Sequence, residues 1–131
     1  MDCGSVYIKM CEKAEEIQQL IIPLKIIAPE YQSQYGADMS KSGNWFHLNI
    51  WLPRQDQLQA MVLDLYTQYD NLVQNMVSDC HAFSTNWQTY QRWDSFEQLW
   101  LAFVMKKRLG KVWSGTEWTQ YRIDTVKQLN K

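Results

Sequence analysis

The hydrophobic period changes across Pro53, and that change restricts the fold more than any other feature of the chain. Residues 45–52, WFHLNIWL, alternate: Phe46, Leu48, Ile50 and Leu52 fall on one face, and Trp45, His47, Asn49 and Trp51 on the other. A period of two is the mark of a half-buried strand. Beyond Pro53, Leu58, Met61, Val62, Leu65, Tyr69, Leu72, Val73 and Met76 recur at intervals of three and four, which is a helical period. A strand running into a helix requires a mixed architecture in which each element buries its apolar face on the other. The spacing predicts one long helix over 54–78, with Leu58, Val62, Leu65, Leu72 and Val73 forming a buried stripe.

The flanking segments add helices. Tyr7, Met10, Cys11, Ala14, Ile17, Leu20 and Ile21 share a helical face, with Glu12, Glu15 and Glu16 opposite, and Pro23 should stop this helix near Ile21. Leu24–Ala28 reads as a short strand, the partner of 45–52 in a two-stranded ribbon. Residues 29–44, PEYQSQYGADMSKSGN, show no period and read as a loop. Residues 86–90 suggest a short helix. In DSFEQLWLAFVMKKRLGK, Asp94 or Ser95 can cap a helix, and Glu97 or Gln98 can complete a capping box. Its expected buried stripe is Phe96, Leu99, Trp100, Phe103 and Val104. Lys106, Lys107 and Arg108 suit the negative end of the helix dipole, and Gly110 suits the position after the helix. Ser114-Gly115 reads as a turn, after which Thr116 should cap a last helix to about Gln128. The expected fold is α+β and mainly helical, with three to four helices and a small antiparallel β-ribbon in one compact domain over 1–131.

Composition removes several function classes. The 131 residues are 46% hydrophobic and 21% charged, with a net charge of -1. That charge gives no global attraction to nucleic acid or to an anionic membrane. Cys3, Cys11 and Cys80 are odd in number and irregular in spacing, which argues for a reducing compartment over a disulfide framework. No apolar run has the roughly 18 residues of a membrane span. The first ten residues, MDCGSVYIKM, lack the pattern of a signal peptide.

Individual motifs are weak as chemistry. Leu52-Pro53-Arg54-Gln55-Asp56 lies at a strand-to-helix junction, where phosphate cradles and nucleophile elbows occur, but both need glycines that are absent here. The junction reads as a corner of the fold, with Pro53 at the first helical position. Cys80-His81 invites a thiolate–imidazole pair, yet adjacent residues rarely face each other, and no third orienting group is evident. His47, Cys80 and His81 lack paired zinc-ligand spacing. Glu12, Glu15, Glu16, Asp64 and Asp70 read as solvated helix faces. Lys106–Lys111 is too small and isolated a basic cluster for a nucleic-acid interface. The residues therefore point to no catalytic group, no metal and no cofactor.

Three blocks carry a resemblance: Met10-Cys-Glu-Lys-Ala-Glu-Glu-Ile-Gln18, Trp51-Leu-Pro-Arg-Gln-Asp-Gln-Leu58, and Ser95 to Trp113. Together they resemble a family of small proteins encoded by phages and prophages of Gram-positive bacteria. The resemblance implies a phage context and a compact protein in the cytoplasm of the host bacterium, and it brings no catalytic residues. It also implies a chain start near Met10, so that residues 1–9 would be a flexible extension.

Seven tryptophans are more than one small core usually needs, and tryptophan is a favoured interface anchor. Trp45, His47 and Trp51 on the less apolar strand face, with Trp87 and Trp93 at element ends, are the candidate binding residues. The expected function is a non-enzymatic binding protein that engages a host or phage protein, with a host antiviral defence as the target to be inhibited. A nucleotide-sequestering protein and a passive phage component are the alternatives.

Overall fold

The computed structural model describes residues 1–21, 33–39, 43–85 and 92–120, with the backbone alone at Ile21 and over 33–39. In chain order these residues form α1 (Ser5–Lys13), α2 (Glu15–Gln18), β1 (Ser33–Met39), β2 (Trp45–Leu48), β3 (Ile50–Leu52), α3 (Gln55–Ala60), α4 (Leu72–Thr85), α5 (Phe96–Leu109), β4 (Lys111–Trp113) and β5 (Trp118–Gln120). Short 3-10 turns lie at Gln19–Ile21 and Leu63–Tyr66. The fold is α+β and mainly helical, as the change of period requires.

The central element is α5. Trp100, Leu101, Ala102, Phe103, Val104 and Met105 are all buried, and a helix apolar on every side belongs inside a core. Trp100 packs edge-on to Phe103, with ring centroids 5.6 Å apart, and Phe83 of α4 approaches Phe103 at 5.6 Å. The helix starts where Ser95 Oγ accepts from the Gln98 N–H at 3.1 Å. It ends at Gly110, whose φ of 64° is left-handed and whose N–H reaches the Lys106 carbonyl at 2.9 Å. Both stops were legible as cap residues. The expected stripe is corrected at one end: Phe96 is 67% exposed. Helical side chains lean toward the N-terminus, so the first residue of a helix projects beyond the last packed turn.

Against α5 and β3 lies α1, continued by α2, and the two bury Tyr7, Met10, Cys11, Ala14 and Ile17. The face matches expectation, but the helix is interrupted at Ala14 (φ -87°, ψ 72°). Leu20 is exposed. Residues 5–9 form the first turns of α1, and Tyr7 is fully buried, donating to the Pro53 carbonyl at 2.6 Å.

The expected single strand over 45–52 is a hairpin. Trp45 pairs with Leu52, Phe46 with Trp51 and His47 with Ile50, leaving Leu48-Asn49 as a two-residue turn. Leu48 takes φ 53° there, a left-handed conformation that costs a non-glycine residue about 1–2 kcal/mol. The turn resets the alternation. Trp51, expected on the polar face with Trp45 and His47, sits beside Phe46 and is 5% exposed. The other edge of β2 pairs with β1, giving the order β1-β2-β3 with a bulge in β1 between Ser33 and Ala37. That strand corrects the loop expected over 29–44. Its residues carry no strand pattern, and pairing with β2 supplies the ladder that local propensity does not. The expected strand Leu24–Ala28 lies outside the described residues. The outer edge of β3 is closed by Gln18, whose side-chain amide both donates to the Trp51 carbonyl and accepts from its N–H, each at 2.8 Å. A single side chain thus stands in for a neighbouring strand residue.

The long helix over 54–78 is corrected too. It is split into α3, the turn at Leu63–Tyr66 and α4. Thr67, Tyr69, Asp70 and Asn71 put four weak helix formers within five positions, and the freed Met61 carbonyl accepts from Arg108 Nε at 2.8 Å. Splitting divides the stripe. Leu58 and Val62 are fully buried, whereas Leu65 and Val73 are exposed at 36% and 52%. The last helix expected from Thr116 is replaced, within the described residues, by the hairpin β4–β5. It turns through Gly115 at φ 103° and is closed by a 2.8 Å bond from the Ser114 N–H to the Glu117 carbonyl. Trp113 and Trp118 pair across it at 5.0 Å between centroids, and Trp118 Nε1 donates to the Met10 carbonyl at 2.9 Å. The short helix expected over 86–90 and residues 121–131 lie outside the described residues.

Candidate functional site

The strand-to-helix junction is structural. Arg54, not Pro53, flanks the first turn of α3, and its N–H donates to Gln57 Oε1 at 2.9 Å. The Arg54 guanidinium reaches the Gly43 carbonyl and pairs with Asp56 at 2.9 Å, while Gln57 Nε2 donates to Asn44 Oδ1 at 2.6 Å. These bonds fix the corner between the sheet and α3.

Cys80 and His81 do not meet as a pair. Cys80 is buried in the core, where burial pushes its thiol up to about 12, and His81 is exposed on α4. Burial also raises Cys11 well above the ordinary thiol range. A neutral thiol is a poor nucleophile and a poor metal ligand. Among the described residues no three His, Cys, Asp or Glu side chains form a metal-holding group. No helix among them is long and apolar enough to cross a membrane.

The basic cluster is engaged internally. Lys107 pairs with Asp79 at 3.2 Å, Arg108 with Asp64, and Lys111 with Glu16. Lys106 lies over the Phe83 ring at 5.8 Å, and burial lowers its affinity for a proton. These cations join the C-terminal half of α5 to α4 and to the turn at Leu63–Tyr66, and the start of β4 to α2. The groove of about 270 Å³ between Phe83, Phe103, Lys106 and Lys107 offers no free ring face, because Phe83 and Phe103 are buried.

The other end of α5 is open. Asp2 tethers the start of the chain to the first turn of the helix. Its Oδ2 accepts from Ser95 Oγ at 2.5 Å and from Gln98 Nε2 at 3.0 Å, and its N–H donates to Glu97 Oε1 at 2.7 Å. A concavity of about 690 Å³ lies between these segments, lined by Met1, Gly4, Val6, Asp94, Phe96 and Glu97 among others. A second, of about 310 Å³, shares Asp94, Ser95 and Phe96 with it and is lined further by Trp93 and Leu99. Phe96 thus lines both, and Met1 and Val6 of the larger one are also exposed.

Of the candidate binding residues, the structure brings Trp93 alone to this place, half-buried along the smaller concavity. Trp45 is half-buried and packed against the core. Trp51 is buried, its backbone is held by Gln18, and its indole N–H has no partner among the described residues. His47 is half-buried, and its Nδ1 likewise lacks a partner there. These two polar atoms do not converge, since Trp51 pairs beside Phe46 and His47 beside Ile50, on opposite faces of the hairpin. Trp87 lies outside the described residues. Phe96 and Val6 were missed. The signal for Phe96 was its place directly after the capping Ser95, where a residue at helical spacing has no packed turn beneath it.

No family model, curated protein or solved structure matches this chain.

Proposed function

We propose that this chain is a small non-enzymatic binding protein of a phage or prophage, working in the cytoplasm of the host bacterium. It engages a protein there, and a component of host antiviral defence is the target class. The observation that carries the reading is the solvent-exposed Phe96, which lines two concavities at the open end of a helix whose middle is buried. An aromatic anchor beside grooves is the usual centre of a protein–protein contact. The phage context rests on the sequence resemblance.

Nucleotide sequestration fits less well. A base needs an exposed ring with cations nearby, whereas the charged side chains around Phe96 are carboxylates. The test is affinity capture from lysate of infected Gram-positive cells with wild type, Phe96→Ala and Trp93→Ala. A retained host or phage protein that is lost with Phe96→Ala at unchanged melting temperature is the expected result. Retention indifferent to both substitutions overturns the reading.

A further inference from the structure

We infer that the partner presents to this groove a short segment in which an apolar side chain is flanked by lysine or arginine. The inference rests on the protein-binding reading above and specifies the chemistry of the partner.

Among the described residues the charged side chains lining the two concavities are Asp2, Asp94 and Glu97, with no lysine or arginine; the α-ammonium of Met1 is the one cation there, so the linings stay acidic on balance. The three carboxylates are not equivalent. Asp2 sits at the N-terminus of α5, bonded to Ser95 and Gln98, where the helix dipole favours its charge. It occupies the place an incoming phosphate or acidic side chain would take. Glu97 accepts from the Asp2 backbone N–H, a neutral donor, and among the described residues no lysine or arginine pairs with it. Asp94 meets Arg92 at 3.9 Å, but the Arg92 side chain is 95% exposed and that of Asp94 70%, so solvent screens this contact strongly. Two carboxylates therefore flank an exposed phenyl ring.

The opposite end of α5 sharpens the contrast, because Lys107, Arg108 and Lys111 are paired there with acids of this same chain. Among the described residues no lysine or arginine other than the exposed Arg92 answers Asp94 and Glu97, and a partner molecule supplies that complement. Its apolar side chain removes Phe96, Val6 and Leu99 from water, and its cations face Asp94 and Glu97, which sets orientation and association rate more than affinity. An acidic or phosphorylated segment meets like charge and a helix end already filled by Asp2.

The experiment selects short random peptides, displayed on a neutral carrier, against the full chain at low ionic strength. Enriched peptides are then synthesised for titration. The expected result is enrichment of lysine or arginine next to an aromatic or aliphatic residue. Affinity should fall at least about tenfold when the basic residues of a selected peptide become glutamate, a comparison that needs no change to the protein. It should fall by at least about tenfold for Phe96→Ala and should weaken with added salt, less so for Asp94→Asn with Glu97→Gln. Enrichment of acidic or purely apolar peptides that still require Phe96 overturns the inference and leaves the protein-binding reading standing. No enrichment, or binding indifferent to Phe96, overturns both.

Discussion

At its C-terminal end α5 is closed, and at its N-terminal end it is open. Three cations of the closed end each meet an acid from a different part of the fold, and Gly110 turns the chain back into β4. At the open end the cap is intact and Gln98 is buried with its bonds made, yet the first side chain of the helix is exposed to water where it lines two grooves. The two ends of one helix thus differ in what their charges do. At one end they pair within the domain and hold it together, and at the other an exposed ring stands beside Asp94 and Glu97, which is where the proposed recognition would act. A basic run in a sequence is therefore a poor guide to a binding face until its partners are known.

The largest effect to expect lies between the ends. Phe103→Ala removes a ring that touches Trp100 and Phe83 and should destabilise by about 3–5 kcal/mol in urea titration. Leu65→Ala, on the stripe that the broken helix leaves exposed, should cost under about 1 kcal/mol by the same measurement. Comparable losses at both positions would mean that α5 is not the centre of the core.

Next come the stops. Gly110→Ala places a Cβ 2.9 Å from Gln120 Nε2 at a left-handed φ and should cost roughly 1–2 kcal/mol. At the open end, Ser95→Ala removes the bond to the Gln98 N–H and the contact with Asp2, for about 1 kcal/mol. Thermal melts of the two variants compare the ends directly. If Ser95→Ala proves the costlier, the open end contributes more to assembly than its exposure implies. Phe96→Ala should change stability by no more than about 0.5 kcal/mol, which makes it the substitution that separates recognition from folding. A larger loss would place the ring in the core and remove the contrast.

Legibility in the sequence followed the range of the forces involved. The caps of α5, its apolar middle, the face of α1 and the class of the fold depend on residues a few positions apart, and periodicity reports those. What was misread depends on long-range partners. β1 forms because β2 lies beside it, the helix over 54–78 breaks where Arg108 takes up the Met61 carbonyl, and Trp51 turns inward because a two-residue hairpin shifts the alternation by one. Phe96 combined both kinds of signal. Its spacing put it in the buried stripe, whereas its place directly after the capping Ser95 leaves it 67% exposed.

The smallest effect concerns acid. At the closed end Asp79 accepts from the Tyr66 hydroxyl at 2.7 Å and pairs with Lys107 at 3.2 Å, and these contacts, the Tyr66 bond foremost, hold its carboxyl below the usual range. Lys111, through its bond to Glu16, lowers that carboxyl in the same way. A carboxyl with a lower pKa in the folded than in the unfolded chain stabilises fully above the unfolded value, about 3.9 for aspartate, and the contribution is lost as pH falls through the folded value. Wild type should therefore melt above Asp79→Asn at neutral pH, and the gap should close as pH drops from about 5 toward 3. The Asp79 side chain is 48% exposed, so screening keeps the gap to a small shift in melting temperature. Tyr66→Phe, which removes the stronger support, should reproduce much of the same pH dependence. A gap that stays constant or widens in acid would show that Asp79 gains nothing from these partners on folding, and the closed end would then rest on packing and on the Arg108–Asp64 and Lys111–Glu16 pairs.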